Sequence, residues 1–208
     1  FASTAVMGAV GIACKAALAL GTRTTTVVNR DAFVNLLLSQ SQVPPKDRRG
    51  ILVVANHRST LDDPFMWGTL PLRILLRPDM MRWTLGAQEL CFATPAASTF
   101  FTLGQTVPTL RGAGITQPAI DEAINRLDAG QVIHIFPEGH VNQDTTRFRR
   151  FKWGLARMLL ETQRIPYVVP VFLDGFEKVM PMEPLPSRKN ATKFPIPGQD
   201  VAVAFGKP

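Results

Sequence analysis

Ile51-Leu52-Val53-Val54-Ala55 is an unbroken apolar run rich in β-branched side chains, ended at once by the polar Asn56-His57-Arg58. Successive side chains of a strand point to opposite faces, so a strand apolar at every position needs cover on both sides. That requirement predicts a central, mostly parallel sheet flanked by helices. Val132 to Phe136 and Tyr167 to Leu173 repeat the pattern, and a last strand is expected over Val201 to Phe205. Pro118 at a helix start, Ile120, Ile124 and Leu127 at i, i+4, i+7, and Gly130 after the last turn predict an amphipathic helix leading into Val132. Other helices are expected over Phe1 to Leu20, from an Asn29 or Asp31 cap through Leu37, after a Ser59 or Thr60 cap, and over about Lys152 to Thr162. The stretch from Ser39 to Gly50 reads as a loop and Arg73 to Arg77 as a short strand. Strands alternating with helices make the fold class α/β. With no repeat or linker, residues 1–208 read as one domain.

The cations limit what such a domain can do. Lys and Arg outnumber Asp and Glu by 23 to 16, giving a net charge of +7, a pI of about 10.0 and a mean hydropathy of +0.08. A basic nucleic-acid binder is normally hydrophilic; basic and apolar together suit a protein on anionic lipid. Two segments could meet that lipid. Phe1 to Leu20 carries only Lys15 as a charge and reads either as a membrane-associated helix within residues 1–30 or as a buried N-terminal helix. Leu90 to Leu110 carries no charge, but Pro95 and Pro108 break any single span, which favours an interfacial or re-entrant segment. Cys14 and Cys91 lie in no metal-binding pattern and read as free thiols, so no metal is expected.

Three constellations carry chemistry. His57 stands at the strand-to-helix turn and Asp62 follows five positions later, at the start of the helix. Asp62 reaching back could hold one ring nitrogen and leave the other as a general base able to activate an alcohol. Phe136-Pro137-Glu138-Gly139 ends a second strand and places a carboxylate and backbone amides at the sheet rim, where open α/β sheets bind ligands; a plain strand terminator reads the same way. The third is cationic: Arg111 before Gly112-Ala113-Gly114, and Arg147, Arg149, Arg150 and Lys152 interleaved with Phe148, Phe151 and Trp153. Arginine with aromatics suits lipid phosphates, a solvated edge, or single-stranded nucleic acid. No P-loop, dinucleotide fingerprint, nucleophile elbow or HExxH helix occurs.

Taken in order, the His-x4-Asp block at His57 and Asp62, the Arg-bearing block Gly104 to Arg111, Phe136 to Gly139, and the Pro-containing strand Val168 to Phe172 resemble the four hallmarks of the glycerolipid acyltransferase superfamily. Within it the chain is most similar to the tafazzins, phospholipid transacylases that remodel cardiolipin. That resemblance rests on Asp62-Asp63-Pro64 with Trp67-Gly68, Met81-Arg82-Trp83-Thr84, His134 to Gly139 with Val141-Asn142, and Arg150 to Gly154. His140-Val141 stands where acyl-CoA-dependent relatives often carry Thr-Arg, and His140 where tafazzins often carry Lys.

The resemblance implies a glycerol-3-phosphate acyltransferase-like fold with membrane-interfacial apolar segments, and acyl exchange between phospholipids and lysophospholipids without CoA, metal or other cofactor. Cardiolipin, monolysocardiolipin and phosphatidylcholine are the implied lipids, met at an anionic membrane surface with no nucleic acid partner. The implied location is a mitochondrial membrane, peripheral or monotopic, facing the intermembrane space. The rival it leaves is an acyl-CoA-dependent acyltransferase. His57 and Asp62 are then the expected catalytic pair, and Asn56, Ser59, Asp63, Arg111, Glu138, Gly139 and Lys152 the expected substrate-binding residues. Arg111 and Lys152 would hold phosphate, Glu138 would organise its loop and bind a hydroxyl, and Asp63 would bond the His57 loop or cap the helix. Oxyanion donors are expected from amides after Ser59 or at the Glu138-Gly139 turn. Tafazzins continue past the position of Pro208 into further helices.

Overall fold

The computed structural model describes residues 1–182 and 194–208. In chain order it contains α1 (Ala2–Gly21), β1 (Thr22–Val28), α2 (Arg30–Gln42), β2 (Ile51–Ala55), α3 (Asp62–Gly68), α4 (Leu72–Leu75), β3 (Arg82–Ala87), α5 (Gln88–Cys91), α6 (Pro95–Leu103), β4 (Thr106–Thr109), α7 (Pro118–Asp128), β5 (Val132–Ile135), α8 (Gly154–Leu160), β6 (Tyr167–Asp174), α9 (Phe176–Val179) and β7 (Gln199–Phe205). The Pro-rich stretch before β7 lies partly outside the described residues.

Seven strands form one sheet in the order β1-β7-β6-β2-β5-β3-β4. All neighbours run parallel except β6 and β7. As its apolar run demands, β2 lies inside the sheet between β5 and β6, and the pleat divides its side chains between two cores. Ile51, Val53 and Ala55 join the core built from α1 to α4, β6 and β7, while Leu52 packs with Ile120, Ala123, Ile124 and Leu127 of α7 and Met158 of α8. β5 divides likewise: Ile133 and Ile135 face α7 and α8, and Val132 faces the other core. His134, one pleat on from Ile133, therefore shares the face of Val132.

α1 packs against α3 and α4 through Met7, Gly8, Gly11, Cys14 and Leu18, spaced one helical turn apart. The glycines permit the close approach, since a Cβ on Gly8 would lie 2.8 Å from a Leu76 methyl. The helix is long and apolar enough to cross a membrane by length and composition, yet one stripe of it belongs to the domain core.

Several local expectations are corrected. Arg73 to Arg77 is not a strand: Leu72–Leu75 is a helical turn after Pro71, burying Ile74 and Leu75. α2 runs on to Gln42, taking in the first residues of the expected loop. Asn29 takes its N-cap position in left-handed backbone, but its side-chain amide donates to the Phe205 carbonyl instead of capping. Ser59 and Thr60 do not cap α3, which starts after Leu61; the Ser59 hydroxyl accepts from the Leu61 amide at 3.2 Å. The uncharged stretch from Leu90 to Leu110 is divided, consistent with its two prolines, among the end of α5, the helix α6 that Pro95 opens and the edge strand β4 that contains Pro108. β1, β3 and β4 were not expected as strands.

Candidate active site

Because β2, β5, β3 and β4 run parallel, their carboxyl ends lie along one edge of the sheet. The chain leaves those ends at Asn56-His57, Phe136-Pro137-Glu138, Ala87 and Leu110-Arg111 respectively. Ligands of open α/β sheets bind at that edge. Blocks separated by up to about eighty residues of sequence thus meet through register alone.

His57 is 19% exposed and its Nδ1 lies 2.9 Å from Oδ2 of the fully buried Asp62. The same oxygen accepts from the backbone amides of Arg58 and, at 2.8 Å, Ser59. The helix start thus wraps its own first carboxylate, and Asp62 reaches back into the turn to orient the ring. Burial pushes the Asp62 carboxyl up from its usual range, while the bonds from His57, Ser59 and Arg58 pull it down. Phe136 stacks on the other side of the imidazole, with centroids 3.9 Å apart and planes within 12°. Pinned at Nδ1 and along one face, the ring keeps Nε2 for a substrate proton.

Glu138 organises the loops instead of facing solvent. Its Oε1 accepts from the His57 amide at 3.2 Å, and its Oε2 from Asn142 Nδ2 at 2.7 Å and the Arg149 amide at 2.8 Å. The Asn142 amide closes the strap by donating to the His57 carbonyl at 2.6 Å. Asn142 was missed as a site residue, although its place just after Pro-Glu-Gly was a usable signal. Gly139 turns the chain with φ +72°, a conformation any Cβ strains, and a Cβ there would press on the Lys152 side chain at 3.3 Å.

Asp63, expected at substrate or at a cap, joins a second network beneath the first. It pairs with Arg82 of β3 through both oxygens and accepts from His134 Nδ1 at 2.8 Å. Burial pushes this carboxyl up, but Arg82 and His134 together outweigh it and hold it well below the usual range. The adjacent aspartates therefore serve two different histidines. Burial, opposed by Asp63, depresses His134.

Other expectations change. Asn56 is buried with its amide clamped on the Leu173 backbone, donating at 2.8 Å and accepting at 2.7 Å, so it fixes β2 to β6 and lines neither of the two cavities beside His57. Ser59 is also fully buried. Of the amides after Ser59 expected to meet an oxyanion, that of Leu61 is taken by the Ser59 hydroxyl and that of Asp62 by the Ser59 carbonyl, both at 3.2 Å, and the Gly139 amide is taken by the Phe136 carbonyl at 3.0 Å; those of Arg58 and Ser59 themselves go to Asp62.

A cavity lies on each face of the sheet, and His57, Phe136 and Leu85 belong to the walls of both. One, about 470 Å³, is floored by Ile120, Ile135 and Met158 and rimmed by Arg111, His140 and Lys152. At this rim Arg111 also pairs with Glu89 at 3.3 Å. The other, about 460 Å³, runs under α1 and α6 and is lined mainly by apolar groups such as Met7, Val10, Phe100 and Phe101. The arrangement offers one base to two largely apolar chambers, one of them cationic at the mouth. Among the described residues no group of three or more His, Cys, Asp or Glu could hold a metal ion.

The chain is similar to known proteins. The family model described as Acyltransferase matches residues 35–174. A tafazzin of Dictyostelium discoideum is 43% identical over 190 residues, covering 89% of this chain and 64% of its own. An N-acylphosphatidylethanolamine synthase of Arabidopsis thaliana is 38% identical over 184 residues, covering 88% and 62%. A tafazzin of Drosophila melanogaster is 34% identical over 204 residues, covering 98% and 50%. The chain thus spans between half and just under two thirds of the length of these relatives. The crystal structure of the 1-acyl-sn-glycerophosphate (LPA) acyltransferase of Thermotoga maritima shares the fold with a TM-score of 0.63 at 22% identity, covering 99% of this chain and 68% of that one.

Proposed function

We propose, from the premise that this chain belongs to the acyltransferase family, that it moves acyl groups directly between phospholipids and lysophospholipids. The observation that carries this is the single His57–Asp62 base at the wall shared by two chambers. One chamber can hold the acyl-bearing donor and the other the acceptor, with both reacting oxygens brought to the same Nε2. His57 takes the proton of the acceptor hydroxyl, the oxygen attacks the donor ester carbonyl, and the tetrahedral intermediate collapses. The proton then passes from His57 to the leaving lysolipid oxygen. One ester is broken and one formed, so the exchange is close to thermoneutral and reversible, with no CoA, metal or other cofactor. With the Leu61, Asp62 and Gly139 amides occupied, the positive groups at the rim, Lys152 and Arg111, offer the stabilisation for the oxyanion and the phosphate.

Tafazzin relatives in an amoeba and an insect make monolysocardiolipin the first acceptor to test, cardiolipin remodelling the expected outcome, and a mitochondrial membrane the expected location. The Arabidopsis relative favours a second reading by its name: an acceptor amine, as in phosphatidylethanolamine, taking the acyl group in place of a hydroxyl. Labelled phosphatidylcholine or labelled acyl-CoA offered in vesicles with monolysocardiolipin or phosphatidylethanolamine separates these, with His57→Ala as the blank. Transfer from phosphatidylcholine to the lysolipid, absent in His57→Ala, supports the proposal. Transfer only from acyl-CoA, or only to the amine, replaces it.

A further inference from the structure

Three rungs of backbone hang the segment 147–153 from the catalytic loop. Asn142 Nδ2 donates to the Arg147 carbonyl at 2.8 Å, the Arg149 amide to Glu138 Oε2 at 2.8 Å, and the Lys152 amide to the Pro137 carbonyl at 2.8 Å. With its backbone bound inward, the segment presents its side chains to solvent. Phe148 is 59% exposed, Phe151 47% and Trp153 63%, and Arg147, Arg149, Arg150 and Lys152 are exposed among them.

Solvent is a poor environment for the three rings. Three large aromatics on one short stretch form an exposed apolar patch, which Phe172 of β6 extends through its ring contact with Phe148 at 6.4 Å. The cations are equally unmatched. Among the described residues Arg23, Arg77 and Arg111 are exposed and paired, with Asp200, Asp79 and Glu89, and Arg73 and Arg164 are exposed singly without an ion pair, whereas 147–153 gathers four exposed cations on one short stretch, none of which forms an ion pair. Rings that favour a headgroup boundary, alternating with unpaired cations, match an anionic bilayer surface in both polarity and charge. The patch also reaches the reaction site, because Lys152 and Trp153 line the cavity beside His57.

We infer that residues 147–153, with Phe172, are the surface by which this protein docks on an anionic bilayer, setting the mouth of the cationic cavity at the headgroups. The inference rests on the lipid reading above only for its choice of partner. The docked surface is a rigid extension of the active-site loop: Glu138 bonds both the His57 amide and the Arg149 amide, so lipid contact and the base share one carboxylate.

Vesicle flotation tests the docking without any enzyme assay. The full chain would be compared with Arg147→Gln/Arg149→Gln/Arg150→Gln and with Phe148→Ser/Phe151→Ser. The vesicles would be pure phosphatidylcholine or two parts phosphatidylcholine to one part phosphatidylglycerol, at low and high salt. Each cation near an anionic surface raises partitioning by about fivefold, so the triple variant should bind the anionic vesicles roughly 10²-fold more weakly. Its binding should also lose most of its salt dependence. The aromatic variant should bind both vesicle types more weakly. All the substituted side chains are exposed, so melting temperatures should stay at the wild-type value, which separates lost docking from lost folding. Variants that keep wild-type partitioning would overturn the inference and leave α1 as the contact. Tight, salt-sensitive binding of a single-stranded oligonucleotide with no flotation would overturn it in favour of nucleic acid. Flotation as described by a wild type that transfers no acyl group would uphold the docking surface and sink the acyl-transfer reading.

Discussion

Replacing Asp62 by Asn changes almost no volume and isolates the charge behind His57. Oδ2 of the aspartate receives three donors, from His57 Nδ1, the Arg58 amide and the Ser59 amide, whereas Oδ1 is buried without a partner. An amide has only one oxygen, and three converging donors force it into the Oδ2 position. Its NH2 then takes the Oδ1 position, where an unsatisfied buried donor should destabilise the protein by about 1–3 kcal/mol. The imidazolium formed as His57 accepts the proton also loses its counter-charge. A hydrogen bond to a charged group contributes about 1 kcal/mol or more beyond a neutral one, and mis-set protonation of a general base lowers rate further, so transfer should fall by about 10² to 10⁴. The assay is the initial rate of labelled acyl chain appearing on the lysolipid, normalised to folded protein by a thermal melt, across a range of acceptor concentrations. The loss should lie in kcat, because Asp62 touches no cavity wall. A folded Asp62→Asn protein that keeps more than about a tenth of wild-type kcat, beside an inactive His57→Ala, would refute the assignment of Asp62 as the group that makes His57 a base.

Three further outcomes follow from the same geometry. Asp63→Asn breaks the pairing with Arg82 and His134 and should lower stability by about 3 kcal/mol at neutral pH. Because the native carboxyl titrates below its unfolded value, that contribution is complete above about pH 4 and fades as pH falls through the native value, so the gap between the wild-type and variant melting temperatures should narrow on acidification. Glu138→Gln turns an NH2 toward amides that are themselves donors, the His57 amide or those of Asn142 and Arg149. Melting should drop by the equivalent of about 1–3 kcal/mol together with kcat, while a pH profile of transfer keeps its shape, as it would not if Glu138 exchanged the proton. Lys152→Gln should raise KM for phosphate-bearing acceptors by about tenfold with little change in melting temperature, and equal KM would remove Lys152 from the phosphate site.

The centre of the fold and the candidate base were legible in the order of residues alone. β2, β5 and α7 were legible because a strand covered on both faces is apolar throughout and a helix covered on one face repeats every third or fourth residue; β6 was legible by the same apolar run, although its Phe172 face is exposed. His57 with Asp62 and the Pro-Glu-Gly turn were legible because their spacings join a strand end to the residues that follow it. Where the deciding contact lies far along the chain, local pattern failed. β1, Thr-Arg-Thr-Thr-Thr-Val-Val, is mostly exposed and is a strand only because β7 pairs with it. β4 contains Pro108, which an edge strand tolerates and no local pattern recommends. Leu72–Leu75 spans a single turn, too short for a period of two to be told from one of 3.6. Which aspartate serves which histidine depends on long-range packing, since Asp62 and Asp63 are neighbours in sequence but point to His57 in the turn and to Arg82 and His134 on β3 and β5. That packing also decided that Asn56 and Ser59 are buried in the scaffold and that one imidazole faces two cavities. Parallel register is the physical reason: it aligns the carboxyl ends of strands from distant parts of the chain, and no residue carries that alignment alone.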